Sequence, residues 1–478
     1  MNISEYSSFD GLGLAELVRK KEVTPKELKD IALQGIEMLN PKLNAIVSVL
    51  SEQSEEEINK GLSTGPFMGV PFLIKEMGLH AAGVPINIGS RLAEGLTFAH
   101  DTELMTRFRR VGLVTIGTTT TPEFGYSSTT ESVLHGPTRN PWNIEKSAGG
   151  SSGGSSAAVA AGIVPLAHAN DGGGSIRIPA ACNGLVGLKP TRGRIPNGPD
   201  SGELLSGFAV EFAVTKSVRD TAALLDTVAG PDIGSYAWAE RPKRSYLREV
   251  LSPPRRLRIA WMDKPLNGAM VDQECVKALH ETIQLCQELG HEMVEAAPVI
   301  DEELHFLATL RIWAANLHQM MNGVANALKR TPSEENLETA SWACYQLGQR
   351  MKASELLEAI EIQNMISRSV GKFFMQYDVL LSPTTACPPL HIGELNSNAS
   401  GIDAEQWTKQ VFTFAPFTNL FNTTGQPAIS LPLGWSSQGL PIGMQFAGRF
   451  ADEATLLNLA GQLEQACPWK NKRPSVTI

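Results

Sequence analysis

The sequence lacks the cysteine pairs and histidine motifs that mark disulfide-rich, redox or zinc proteins. Its six cysteines stand singly along 478 residues, without a CxxC pair or disulfide-like clustering. Single thiols of this kind are typical of buried cysteines in a reducing compartment. The nine histidines form neither HExxH nor a related metal-binding spacing. The sequence therefore predicts no disulfide, no metal site and no cofactor.

Charge and hydropathy disfavour two further classes of partner. The chain has 41 basic and 50 acidic residues, and its basic clusters are short, as in RPKRSYLR at 241–248, which does not favour nucleic-acid binding. The longest apolar run, AAVAAGIVPLAHA at 157–169, is too short to cross a bilayer. The polar N-terminus is unlike a signal peptide. We therefore expect a cytoplasmic protein with no nucleic-acid or membrane partner.

Helical and strand-like segments alternate along the chain, which favours a mixed or parallel α/β sheet. Residues 1–60 have a helical pattern, and TPKE at 24–27 forms a capping box. Apolar runs at 66–79 and 377–384 are typical of buried strands. The region of about 300–375 has helical periodicity, and we expect it to form a cap or side layer over the central sheet.

A run of glycine and serine, SAGGSSGGSSAAVAAG at 147–162, resembles a flexible linker by composition. Linkers are flanked by polar chain, however, and this run leads into an apolar segment. Ser155 or Ser156 can cap the helix that we expect there. A phosphate-binding loop is disfavoured because neither Walker-type nor GxGxxG spacing is present. GGSSG at 149–153 matches a nucleophile elbow, but NIEKSA at 143–148 is too polar for the buried strand that an elbow requires.

The stretch NDGGGSIRIP at 170–179 is the better candidate for chemistry. An apolar run leads into the glycines that begin at Gly172, and Ser175 follows just before a helix-like segment. Consecutive small residues in such a turn can aim their backbone N–H groups at one point. Donors aimed at a carbonyl oxygen that becomes negative form an oxyanion hole. We expect Asp171 and Arg177, which flank the turn, to form a buried ion pair that acts as a scaffold.

A serine nucleophile needs a base, and nothing in the sequence marks a particular histidine for that role. Lys75 follows apolar residues in GVPFLIKEMG. It is either a lysine at a strand end with its amine in water, or a buried lysine whose pKa is lowered by desolvation. A neutral amine can accept a proton, and serine–lysine pairs are known variants of the catalytic triad.

These segments together resemble the amidase signature family of serine hydrolases. The family pattern is GGSSGG, an alanine-rich helix, a D-x-GGSIR-x-P turn and G-x-x-GLKPT, and the chain has GGSSGGSSAAVAAG and DGGGSIRIPAACNGLVGLKPTRG in that order. The resemblance extends through GVPFLIKE, TPEFG, the NPWN run and NTTGQPAISLP, and so covers nearly the whole chain. It implies a large mixed β-sheet flanked by helices on both faces, in a single catalytic domain over residues 1–478.

The resemblance also implies a Ser–cis-Ser–Lys triad. By motif position, Ser175 is the nucleophile, Ser151 follows a cis peptide bond, and Lys75 is the base. Lys75 takes a proton from Ser175 through Ser151, an acyl-enzyme forms, and water releases the acid. Ser152 is expected to support the triad by hydrogen bonding. The implied oxyanion hole consists of the backbone N–H groups of Gly172, Gly173, Gly174 and Ser175.

The chain departs from the family pattern at two positions. Glu76 stands where Asp is commoner, and Gly172 replaces a more usual Thr or Ser, so a hydroxyl near the oxyanion hole is missing. The C-terminal stretch FNTTGQPAISLPLGWSSQGLPIGMQ looks most like that of bacterial amidases and implies a pocket for linear or cyclic amides. We therefore predict an amidase that hydrolyses a carboxamide C–N bond of a small molecule, as a monomer or homodimer.

The alternative within the family is the glutaminase subunit of a tRNA-dependent amidotransferase. It is disfavoured because the C-terminal third has no obvious acidic signature for glutamine recognition. A non-catalytic binding protein is disfavoured because all three triad residue types are present. We expect the substrate pocket to be shaped by residues 126–136, the helical region 301–345 and the loop near 415–424.

Overall fold

A computed structural model describes residues 1–478 and has one large β-sheet at its centre. The strands are β1 Ile46–Val49, β2 Pro71–Lys75, β3 Val114–Thr119, β4 Glu131–Ser132, β5 Gly136–Pro137, β6 Arg139–Asn140, β7 Asn143–Ser147, β8 Leu166–Asp171, β9 Val186–Lys189, β10 Val210–Thr215, β11 Arg258–Trp261, β12 Glu292–Glu295, β13 Val379–Pro383, β14 Ala428–Trp435 and β15 Pro441–Gly448. Eleven of them form the sheet, in the order β1-β3-β2-β8-β10-β9-β14-β15-β13-β11-β12, with both parallel and antiparallel pairs. The pairs β4–β5 and β6–β7 form two small separate sheets.

Helices occupy most of the connections between strands. They are α1 Ile3–Ser8, α2 Gly11–Arg19, α3 Pro25–Leu43, α4 Ser51–Lys60, α5 Glu103–Arg110, α6 Gly153–Ala160, α7 Arg177–Asn183, α8 Val218–Val228, α9 Tyr246–Val250, α10 Gln273–Glu288, α11 Glu302–Leu328, α12 Thr339–Arg350, α13 Ala353–Phe373, α14 Ala404–Phe414, α15 Leu420–Thr424 and α16 Glu453–Ala466. None of these helices has both the length and the apolar character needed to cross a membrane.

Both faces of the sheet are covered, because alternate residues of its strands enter two different hydrophobic cores. On β11, Ile259 belongs to the larger core and Ala260 to the smaller one. On β13, Val379 likewise belongs to the larger core and Leu380 to the smaller one. Successive side chains of a strand point to opposite faces, so the two cores lie on opposite sides of the sheet. The predicted α/β fold, a mixed sheet with helices on both faces, is confirmed.

The N-terminal region agrees with its prediction except at one strand. The capping box is present, since Thr24 Oγ1 accepts from the N–H of Glu27 and the Glu27 carboxylate accepts from the N–H of Thr24. Residues 1–60 are nevertheless not helical throughout, because β1 pairs antiparallel with β3 at the edge of the sheet. Four residues between two helices are too few to show an alternating pattern in the sequence.

The predicted helical region at about 300–375 consists of α11, α12 and α13. These three helices pack together, and their buried side chains, among them Ile312 and Leu317, supply a large part of the smaller core. A single sheet draws its strands from residue 46 to residue 448. The single catalytic domain over residues 1–478, which the family resemblance implies, stays a prediction.

The sheet also brings the candidate catalytic segments to a common edge. Strands β2 and β8 are parallel neighbours, with Leu73 opposite Ala167. Their carboxyl ends therefore lie at the same edge of the sheet. Lys75 is the last residue of β2, and Asp171 is the last residue of β8. The chain leaves β8 through the glycine turn and enters α7 at Arg177.

Candidate active site

The amine of Lys75 is enclosed at the end of β2. The residue is completely buried. Its Nζ atom lies 2.7 Å from Ser151 Oγ, 3.1 Å from Ser152 Oγ and 2.6 Å from Asn170 Oδ1, all within hydrogen-bonding distance. Of the two interpretations that the sequence allowed for this lysine, the structure supports the buried one.

Burial also changes the proton affinity of this amine. Desolvation by burial is the largest effect on the amine of Lys75 and lowers its pKa to about 7. The negative charges of Glu211 and Asp171 act in the opposite direction but only partly offset it. A lysine with this pKa is divided between its neutral and charged forms near neutral pH. The neutral form can accept a proton from a neighbouring hydroxyl, so Lys75 is a candidate general base.

Ser151 and Ser152 reach this amine from the loop between β7 and α6. The peptide bond between Gly150 and Ser151 is cis. The N–H of Ser152 donates to the carbonyl oxygen of Ser175 at 3.3 Å, which joins this loop to the glycine turn. The three residues predicted as a triad, at positions far apart in the chain, are therefore brought to one region.

Two predictions about the glycine–serine run have different outcomes. Ser152 occupies the N-cap position of α6, without a side-chain capping hydrogen bond, so the prediction that Ser155 or Ser156 caps the helix was wrong. Ser155 lies inside α6 and donates through Oγ to the carbonyl oxygen of His168 at 2.7 Å. The segment before the run, β7, lies in a small two-stranded sheet and is partly exposed. It is not the buried strand that a nucleophile elbow needs.

The glycine turn is held by the buried ion pair predicted between Asp171 and Arg177. Asp171 Oδ2 accepts from Arg177 Nε at 2.9 Å, and Oδ1 accepts from Arg177 Nη2 at 2.9 Å. Burial by itself raises the pKa of Asp171, but the Arg177 charge outweighs this effect and lowers the pKa to about 2. The carboxylate is therefore ionised and anchors the turn behind Ser175.

The backbone N–H groups of the turn divide into two sets. The N–H of Gly174 donates to Asp171 Oδ1 at 2.8 Å, so of the four donors implied for the oxyanion hole this one is already occupied. The N–H groups of Gly172, Gly173 and Ser175 have no acceptor within the protein. Gly174 has a φ of +137°, a backbone angle that residues other than glycine rarely adopt. The turn thus offers three free donors.

The two departures from the family pattern have different surroundings. A Cβ atom on Gly172 would lie 2.8 Å from Leu205 Cδ1 and 3.4 Å from Trp313 Cζ2. Apolar side chains therefore occupy the space next to the position where a threonine or serine is usual. Glu76 is buried, and its Oε1 lies 2.7 Å from His135 Nε2.

Ser175 opens into a cleft with mainly apolar and aromatic walls. Tyr126 and Trp313 stack there, with ring centroids 5.3 Å apart, and Phe412 also lines the cleft. No charged side chain lines this cleft. Segments 126–136 and 301–345 contribute as predicted. The end of α14 also lines the cleft, whereas residues near 415–424 do not line it directly. They lie against the glycine turn instead, where Thr418 Oγ1 donates to the carbonyl oxygen of Gly173 at 2.6 Å.

Three polar residues behind Lys75 were not predicted from the sequence. Asn170 Nδ2 donates to Glu211 Oε1 at 3.3 Å, while its Oδ1 contacts the lysine amine. His168 is fully buried, its Nε2 lies 2.6 Å from Glu211 Oε2, and its Nδ1 accepts from the backbone N–H of Lys75 at 3.2 Å. This histidine supports β2 and does not face the cleft. The sequence offered one indication of the role of Asn170, which is its position at the end of a buried strand, next to Asp171.

Comparison with known proteins places these features in a family. The sequence profile of the family described as Amidase matches residues 28–457. A 6-aminohexanoate-cyclic-dimer hydrolase of Paenarthrobacter ureafaciens is 37% identical, over 98% of this chain and 96% of that protein. An acylamidase of Rhodococcus erythropolis is 32% identical, over 97% of each chain. A solved structure of 6-aminohexanoate cyclic dimer hydrolase superposes with a TM-score of 0.93 at 35% identity, covering 98% and 99% of the two chains.

The mixed sheet, the buried lysine and the two serines beside it are those of a hydrolase that acts on amides. The chain belongs to the amidase signature family. It is therefore an enzyme that hydrolyses C–N bonds, as the motifs predicted.

Proposed function

We propose that this enzyme hydrolyses a small, uncharged linear or cyclic carboxamide through an acyl-enzyme on Ser175. The observation that carries the proposal is the cleft in front of this serine, where Tyr126, Trp313 and Phe412 form apolar walls without a charged side chain. Transfer of an apolar acyl group from water into such a cleft is favourable, because it removes apolar surface from water. A charged group loses its hydration there and finds no ion-pair partner.

The proposed reaction begins with proton transfer. Neutral Lys75 accepts the Ser151 proton as Ser151 accepts that of Ser175, and the Ser175 oxygen attacks the carbonyl carbon. The free N–H groups at Gly172, Gly173 and Ser175 donate to the resulting oxyanion. The C–N bond then breaks as the relay returns a proton to the leaving nitrogen. Water hydrolyses the acyl ester, releases the acid and restores the Ser175 hydroxyl.

Two further considerations support this substrate class. Relatives that match over nearly the full length include a 6-aminohexanoate-cyclic-dimer hydrolase and an acylamidase. Free glutamine, the substrate of the alternative function, carries an ammonium and a carboxylate. The cleft beside Ser175 offers neither charge an opposite partner, and we therefore favour an independent amidase.

A panel of amides tests the proposed function on the purified chain alone. We expect kcat/KM for short aliphatic, aryl or cyclic amides to exceed that for glutamine by about 100-fold or more, since a desolvated, unpaired charge is costly. Release of amine or ammonia measures each reaction. A preference for glutamine, or activity that appears only with partner subunits, would instead support the amidotransferase alternative.

We propose that Asn170 is a positioning residue that tunes the base. Its Oδ1 lies 2.6 Å from Lys75 Nζ. An Asn170→Asp substitution places a negative charge there, favours the ammonium form and raises the pKa of Lys75. The rising limb of the pH–rate profile should therefore move to higher pH, by about one pH unit or more. Rates measured from pH 5 to 10, on the order of ten points, provide the test.

The matched variant is Asn170→Ala, which removes the acceptor without adding a charge. Loss of a hydrogen bond to the charged form should lower the pKa of Lys75 and move the profile the opposite way. A residue with a merely structural role would reduce the rate in both variants without moving either profile. That result would refute the positioning role of Asn170.

A further inference from the structure

Two imidazoles and a carboxylate meet outside the active site. His80 lies in the loop after β2, His100 lies in the loop before α5, and Asp200 follows β9. Their ligand atoms all lie within 4.8 Å of one another. His100 Nε2 is 3.1 and 3.0 Å from the two carboxylate oxygens of Asp200. His80 Nε2 is 3.4 Å from Asp200 Oδ2.

The ring of His80 is held in place but lacks a partner for one nitrogen. Its side chain is only 4% exposed, and Nε2 makes no hydrogen bond. The ring stacks on Phe98, with centroids 3.7 Å apart and an interplanar angle of 13°, which fixes its orientation. A buried polar atom without a partner is unfavourable and calls for an explanation, such as an ion bound there. The unpaired nitrogen of His80 faces the Asp200 carboxylate.

The spacing of these atoms suits a small transition-metal ion. Ligand atoms bound tetrahedrally to Zn²⁺ at about 2.0–2.1 Å are separated from one another by about 3.3–3.4 Å. The separations of 3.0 Å and 3.4 Å from Asp200 to the two imidazoles are already close to that value. The side chains of His100 and Asp200 are 46% and 42% exposed, so an ion can enter from solvent and both can adjust around it.

We propose that His80, His100 and Asp200 bind a divalent transition-metal ion of the Zn²⁺ type, with water completing the coordination. Imidazole nitrogen and carboxylate oxygen are suitable ligands for this class of ion. The site is distinct from the amidase chemistry. It connects the loop that follows Lys75 to two other loops, so the bound ion would stabilise this edge of the molecule.

These three ligands are too far apart in the sequence to form a local metal-binding motif, which is why the sequence predicted no metal site. His80 and His100 are separated by 20 positions, and Asp200 lies 100 positions after His100. Metal motifs recognised in sequence depend on ligands within one helix or one short loop. Here the three ligands lie in three separate loops, and only the folded chain brings them together.

Zinc titration of the untagged, EDTA-treated full chain tests the site. Calorimetry should detect one saturable equivalent of Zn²⁺, and Tm should rise with zinc concentration because the ion binds the folded state. His100→Ala and Asp200→Asn should each weaken Zn²⁺ affinity by about tenfold or more and reduce the rise in Tm. Both residues are partly exposed, so we expect these variants to fold as the parent does.

His280→Ala is the matched control, since it removes an exposed imidazole on α10 far from the proposed ligands in sequence. We expect it to bind zinc as the parent does. Parental affinity in His100→Ala and Asp200→Asn would overturn the proposal. Binding that never saturates, or that disappears when the partly exposed thiols of Cys387 and Cys467 are alkylated, would also overturn it.

Discussion

The Ser175→Ala enzyme is expected to lose about 10⁴-fold or more in kcat/KM for its amide substrate, while its free energy of unfolding stays near that of the parent. The substitution removes the proposed nucleophile, and serine hydrolases that lose this hydroxyl retain only the contribution of binding and of the oxyanion hole. The backbone N–H and carbonyl of residue 175 are unaffected. Amine release measures the rate, and denaturant unfolding measures the stability.

Ser63→Ala is the control for this change, because Ser63 is exposed and lies outside the candidate site. It should retain parental activity. A fluorophosphonate probe should label the parent at Ser175, as located by mass spectrometry, and should leave Ser175→Ala unlabelled. Parental activity in Ser175→Ala, or labelling of a different serine in the parent, would contradict the nucleophile assignment.

Replacement of Lys75 by methionine is expected to lower kcat/KM by about 10²–10⁴-fold, the range typical of a general base. In the parent, activity should rise with pH through about 7, because Lys75 must lose its proton before it can accept one. At pH values below this pKa, the amine is an ammonium group and cannot act as a base. In Lys75→Met this rising limb near pH 7 should be absent.

The exposed Lys264 provides a matched variant, Lys264→Met, which should keep both the parental rate and the parental pH–rate profile. Methionine has a length similar to that of the lysine stem, so Lys75→Met should fill the same buried space. Circular dichroism checks that it folds. If Lys75→Met were slow but kept the rising limb near pH 7, another group would be the base.

Much of the fold and the candidate site could be predicted because their signals are local. The capping box at 24–27 and the apolar run that ends at Lys75 each depend on a few adjacent residues. The ordered motifs around Ser151 and Ser175 likewise specify their segments without reference to the rest of the chain. Strand β1 was missed because four residues carry too little pattern, and its pairing with β3 decides its conformation.

Other features depend on partners that are distant in sequence. Whether the N–H of Gly174 is free depends on the orientation of Asp171, which Arg177 holds from the next helix. The partners of Lys75 come from a separate loop and from the neighbouring strand. Such hydrogen bonds can be assigned only when strand order and side-chain direction are known, so the contact of Asn170 with Lys75 was not predicted.

The sequence by itself determined the family, the α/β class and the three residues of the proposed triad, because ordered motifs and hydrophobic periodicity are properties of neighbouring residues. Only the tertiary structure decided that Lys75 is buried, which backbone donors beside Ser175 are free, and that His80 meets Asp200. Burial and hydrogen-bond pairing are set by segments that meet across the sheet and its loops. Proton affinity at the active site and the proposed metal site both depend on those long-range contacts.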